Sequence, residues 1–217
     1  MIFSTGNATR DITNILIAIQ AVITLLITFR SFTFYFRTRT GALLTLGLAM
    51  GVIGIGGVTG VIDDPFLHAN PTYNTVWFRF AGQIVGFLFI FLASLATSTR
   101  YTEVMQRWHY VAVVLLLALM FLTPVIPVRP NPTMMGALSI ARFVVSMMVF
   151  FSYLAIFFSK GTRFSLLMTA SFLISSIGFW IYAMKYFIPG GSLTYDFLAD
   201  SIRIVGLIVL YITFIAG

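Results

Sequence analysis

The polar and apolar positions of this chain fall into long, nearly unbroken apolar runs with short polar breaks between them. Seven runs approach or exceed the roughly 20 residues a helix needs to cross a bilayer core. They cover about 12–29, 41–62, 75–97, 109–127, 134–158, 162–187 and 195–217. The breaks are short, so the pattern predicts an all-α, polytopic membrane protein, one bundle of seven transmembrane helices over 1–217 with no separate domain. Two runs depart from plain apolarity near their starts. The last carries Asp196, Asp200 and Arg203 and then no further charge. Spaced i, i+4 and i+7, those three share one helical face. The third run carries Arg79, with Gln83 one turn below it.

Composition points the same way. The chain is 59% hydrophobic and 9% charged, with a mean hydropathy of +1.01. A soluble domain carries roughly 25% charge, so this chain has too little polar surface to face water on all sides. There is no cysteine, which excludes disulfides and Cys-ligated metals. A net charge of +7 would suggest nucleic acid in a soluble protein. Here the basic residues gather at helix ends, so the expected partner is the lipid bilayer and not nucleic acid. No signal peptide is expected, because Arg10 and Asp11 precede the first run and no small-residue cleavage site follows it.

The charges between the runs predict an orientation. One set of breaks holds Arg30, Arg37, Arg39, Arg100, Arg107, Lys160 and Arg163; the other holds Arg10, Arg129 and Lys185. Asp11, Asp63, Asp64, Asp196 and Asp200 fall on the second side, and Glu103 on the first. The positive-inside rule places the first set in the cytoplasm, with the N-terminus outside and the C-terminus inside the cell membrane. Asn7-Ala8-Thr9 is then a formal glycosylation sequon on the outer side.

Individual runs add detail. Helix 2 has Gly47 and Gly51 four apart, and Gly56 and Gly60 likewise. In lipid that spacing lets two backbones approach closely, as internal packing or as a dimer face. Helix 4 is uncharged between Val111 and Leu122 and is expected to be the most lipid-exposed, with Pro124 and Pro127 ending it. Helix 5 carries Ser139, Arg142 and Ser146 as a thin polar stripe; helix 6 carries Ser165, Thr169, Ser175 and Ser176; helix 1 offers Gln20, Thr24 and Thr28. Hydroxyls of this kind bond within their own helix at little cost.

The chain also repeats. A shift of 124 residues, without gaps, gives eleven identities over 38–93, among them Arg39/Arg163, Gly54/Gly178, Pro65/Pro189, Arg79/Arg203 and Gly82/Gly206. Helices 1–3 then correspond to helices 5–7 with helix 4 left over, a 3+1+3 parallel repeat about an axis along the membrane normal.

A charge at the centre of a membrane helix costs up to roughly 3 kcal/mol on insertion scales, so charged residues in the runs are the first candidates for function. Arg79, Gln83, Arg142, Asp196, Asp200 and Arg203 are expected to gather in the outer half of the bundle. Arg203 is expected to pair with Asp200 or Asp196, and the arginines to snorkel partly toward the outer surface. The cluster reads either as an ion-pair network pinning helix 7 to helices 3 and 5, or as a site for an anionic or zwitterionic ligand or a coupled ion. No cofactor or metal is expected. His68 and His109 fall at opposite ends of the bundle, and no glycine-rich loop precedes a lysine.

Seven helices with an outside N-terminus resemble the heptahelical receptors and the microbial rhodopsins in topology. Retinal proteins carry their Schiff-base lysine in helix 7, where this chain has Arg203 and no lysine. The 3+1+3 repeat is similar to that of the SWEET sugar carriers, and the layout resembles the seven-helix input modules of bacterial kinases and cyclases. The expected function is that of a non-enzymatic receptor or sensor module, or a membrane-complex subunit, acting through a partner protein or as a homo-oligomer. The basic stretches RSFTFYFRTRTG and STRYTEVMQRWHY would then form its cytoplasmic contact surface. The alternative is a small transporter built from the two three-helix repeats.

The orientation can be tested by fusing a reporter after Gly217. A fluorescent protein there should light up, and an alkaline phosphatase there should stay inactive; an active phosphatase would reverse the assignment.

Overall fold

The computed structural model describes residues 5–62, 73–96, 98–122, 130–188 and 192–216, all of them helices or short connections. The seven helices are α1 (Thr5–Thr38), α2 (Gly41–Ile62), α3 (Thr75–Ser94), α4 (Thr99–Phe121), α5 (Pro132–Lys160), α6 (Arg163–Met184) and α7 (Ser192–Ala216). Each contains a segment long and apolar enough to cross a membrane. Asp63, Asp64, Pro65, His68, Pro124, Pro127, Arg129, Pro189 and Gly217 lie outside the described residues.

Two boundaries differ from the sequence reading in an informative way. Helix 1 does not stop near residue 29 but runs to Thr38, and helix 4 begins at Thr99 and not near 109. The basic stretches read as connections are therefore mostly helical. Neither contains glycine or proline before Gly41, so nothing in them interrupts the backbone ladder once the helix is established. The apolar run marks where a helix meets lipid, not where its hydrogen bonds end. Helix 4 is also not the most exposed of the seven, since the spans of α1 and α5 bury a smaller share of their residues.

Local chemistry sets the helix ends. Ser98 Oγ accepts from Tyr101 N at the start of α4, and Asn131 Oδ1 from Met134 N at the start of α5, with Pro132 in the first turn. Gly161 ends α5 in the left-handed conformation (φ 61°), which costs glycine nothing. Arg39 takes the same conformation (φ 55°) after α1, at a cost of about 1 kcal/mol for a side chain with a Cβ.

The helices α1, α2, α3, α5, α6 and α7 pack in that order as a closed ring, each against the next and α7 against α1. α4 stands outside the ring, against α2 and α3. Buried Asn74 fastens it there: its Nδ2 donates to the carbonyls of Leu119 (3.2 Å) and Leu122 (2.8 Å), and its backbone N donates to Met120. The main core fills the ring, with Ile27, Met50, Phe87, Val149, Phe172 and Leu210 each from a different helix.

Small residues bring the ring together. A Cβ on Gly57 would lie 2.8 Å from the Cβ of Ala21, and one on Gly54 would lie 2.8 Å from Leu25 Cγ. Gly47 faces Phe32 and Ser31 of α1, and Gly51 faces Thr28. This side of α2 is therefore an internal seam with α1. Gly56 turns instead to α3, against the backbone of Arg79, and a Cβ on Gly60 would meet the Arg79 side chain only at an ordinary contact distance of 4.0 Å. Serines join other seams: Ser176 Oγ donates to Ser146 Oγ at 2.8 Å, and Ser171 Oγ to the carbonyl of Gly206 at 2.8 Å. Without a hydrophobic drive between helices in lipid, close packing and such bonds carry the association.

Gly57→Val should therefore lower stability by about 1–3 kcal/mol through overpacking, read as thermal unfolding in detergent. Gly60→Ala should be neutral or slightly stabilising. Equal losses at both positions would show that the α1–α2 seam is not the cause.

Candidate functional site

The charged residues converge on the ring interior. α7 places Asp200 and Arg203 three residues apart on its inner face, where they form an ion pair with Asp200 2% and Arg203 7% exposed. Gln20 of α1 adds a second donor to the same carboxylate: its Nε2 lies 3.0 Å from Asp200 Oδ1 and 3.3 Å from the Asp200 carbonyl. Gly178 of α6 provides the room. A Cβ there would lie 2.6 Å from Arg203 Cγ and 3.0 Å from the Ala199 carbonyl.

Arg142 takes a different solution. It lies ten residues into α5, about 15 Å along the axis, and is 1% exposed. It does not snorkel. Its Nη1 donates to Gln83 Oε1 (2.8 Å) and its Nη2 to Ser139 Oγ (3.2 Å), while its Nε has no partner among the described residues. Its guanidinium carbon lies 3.8 Å from the centre of the Phe80 ring, 4.9 Å from that of Tyr182 and 5.3 Å from that of Phe179. Desolvated cation–π contacts of this kind contribute about 2 kcal/mol or more, and they explain how the charge is retained without a carboxylate. Arg203 contacts the same two α6 rings, Phe179 at 5.3 Å and Tyr182 at 5.4 Å. Two guanidinium groups, from the helices on either side of α6, thus share one pair of its aromatic side chains.

Asp196 is not a partner of Arg203. It pairs with Lys185, just beyond α6, at 2.7 Å. Lys185 in turn lies over the rings of Tyr182 (4.2 Å) and Tyr186 (5.2 Å). Asp196 sits one turn nearer the start of α7 than Asp200, level with the end of α6, and the flexible lysine reaches it first. Tyr186, past the end of α6, has its hydroxyl pKa pushed up, chiefly by burial.

A narrow crevice of about 40 Å³ lies within the ring beside this cluster. Gln20, Arg79, Gln83, Asp200 and Arg203 line one part, and Met50, Phe87, Phe172, Leu207 and Leu210 another. Of the residues expected from sequence, Arg79, Gln83, Asp200 and Arg203 meet in the crevice, Arg142 is tied to it through Gln83, and Asp196 stands apart. Gly47, Gly51 and Gly56 serve interhelix contacts, and Gly60 faces the Arg79 side chain at 4.0 Å.

Sequence reasoning missed the aromatic rings and the role of Gln20. The i, i+4 spacing of Gln20 and Thr24 on an otherwise apolar helix was the available signal. For Phe80, Phe179 and Tyr182 there was none, since aromatic residues are frequent along the whole chain. His109, expected at an end of helix 4, is buried in its body and stacks on Phe89 at 4.2 Å.

Comparison with known proteins returns nothing: no family model, no curated protein and no solved structure matches this chain.

Arg203→Ala should destabilise the protein by about 3–5 kcal/mol, because Asp200 stays buried with only Gln20 beside it. Changing Arg203 to Met and Asp200 to Leu together should recover much of that loss. Thermal unfolding of the single and double variants decides it; a double variant no better than the single would mean that the pair is not a closed unit.

Proposed function

We propose that this chain is a non-enzymatic seven-helix module of receptor or sensor type in the cell membrane. Its N-terminus lies outside and its C-terminus inside. It holds a ligand within the helix ring and acts through a partner, either another membrane or cytoplasmic protein or a second copy of itself. The crevice is the observation that carries this reading. It lies between the ring helices, charged in one part and apolar in the other, and so has the mixed lining of a ligand site.

The cytoplasmic contact surface follows from the helix ends. With 34 residues, α1 is about 51 Å long, well beyond a bilayer core of about 30 Å. Its end and the start of α4 expose Arg30, Arg37, Arg100 and Arg107 together with Phe36 and Trp108. A basic surface with large aromatic residues suits both the inner membrane interface and a protein docked on it.

One observation favours a second reading, a small transporter of two three-helix repeats. Under the shift of 124 residues the ring contacts map onto each other: α1–α2 onto α5–α6, α2–α3 onto α6–α7, and α3–α5 onto α7–α1. Arg79 and Arg203 are equivalent under that shift. Both arginines line the crevice. These correspondences support a parallel repeat about the membrane normal.

Flux separates the two readings. Proteoliposomes holding only this chain should release labelled acetate and chloride no faster than empty vesicles. A photoreactive residue at position 108 should crosslink one protein, or a second copy, in cells. Flux carried by the chain alone would transfer the conclusion to the transporter.

A further inference from the structure

Counted over the described residues, the crevice cluster contains more positive than negative charge. Among the described residues Arg79, Arg142 and Arg203 meet one carboxylate, Asp200, because Asp196 is engaged by Lys185. Asp200 is already held from two sides, by Arg203 and Gln20. Arg142 has only neutral acceptors and an unpartnered, buried Nε. Its bond to Gln83 also orients that amide. The Gln83 oxygen is taken by Arg142, which leaves the Nε2 hydrogens as donors on a residue that lines the crevice. Arg79, half-buried, lines the same space.

Beyond these donors the lining becomes apolar. Phe87 lies four residues past Gln83 on α3, and Leu210 lies seven past Arg203 on α7. At 1.5 Å per residue the apolar part extends about 6–10 Å along the helices.

Resting on the reading as a ligand-binding module, we propose that the crevice binds a monocarboxylate with an unbranched, medium-length apolar tail. Arg79 and the Gln83 amide hold the carboxylate, and the tail extends toward Leu210. The carboxylate offsets surplus positive charge and accepts charge-assisted hydrogen bonds. The tail leaves water for an apolar lining, and the narrow crevice excludes branched or bulky groups. An ammonium of the same length meets like charge and is rejected.

The test uses the purified full chain in detergent, with octanoate, octanol, octylamine and acetate added separately and thermal unfolding as the readout. Octanoate should raise the unfolding temperature saturably. Acetate should need a far higher concentration, and octanol and octylamine should give no saturable rise. Arg79→Gln should weaken the octanoate effect about tenfold to a hundredfold, the loss expected for one charge-assisted bond. Leu207→Phe, which fills the tail space, should weaken octanoate more than acetate. The proposal is overturned by no saturable response to octanoate, by an equal response to octanol, or by an unchanged octanoate effect in both variants. An octanoate-blind protein that still meets the flux and crosslinking outcomes removes this ligand class and leaves the receptor reading in place.

Discussion

Burial of guanidinium groups within a lipid-facing bundle is the constraint on which this structure turns. An arginine that reaches neither water nor a partner is too costly to retain. Here Arg142 and Arg203 are both almost wholly buried, and each is satisfied differently. Arg203 has a carboxylate, itself doubly bonded, whereas Arg142 has an amide, a hydroxyl and three aromatic faces. The two solutions share Phe179 and Tyr182, so the rotation of α6 about its axis is tied to α5 and α7 at once.

That coupling explains why the ring closes as it does. Polar links connect α1 to α7 through Gln20 and Asp200, α3 to α5 through Gln83 and Arg142, and α5 to α6 through Ser146 and Ser176. Between α1 and α2 the link is steric instead, through glycines whose missing Cβ atoms let the backbones approach. Each seam has its own device, and none depends on a hydrophobic drive that lipid would not supply. α4 shares in none of the ring contacts and is held by Asn74 and an apolar patch of its own.

The crevice is a consequence of the same arrangement. The arginines of α3 and α7 start close to neighbouring helices, and glycines on α2 and α6 make room for their backbone and stems. Polar lining therefore collects where the charges are, while Phe87, Phe172 and Leu210 of the main core form the rest. A crevice with both characters arises without any element added for it.

Much of the fold was legible along the chain. Seven apolar runs determine seven helices, because transfer to lipid depends on local composition and the backbone must satisfy itself within each segment. Charges in those runs marked Arg79, Arg142, Asp200 and Arg203 for the same local reason. Helix limits were less legible, since α1 and α4 continue past their apolar stretches. What only tertiary structure decided was partnership: Asp196 with Lys185, Asp200 with Arg203 and Gln20, and Arg142 among Phe80, Phe179 and Tyr182. A helix can carry its charges at any rotation about its axis. The rotation is chosen by packing against neighbours distant in the chain, and no local pattern records it.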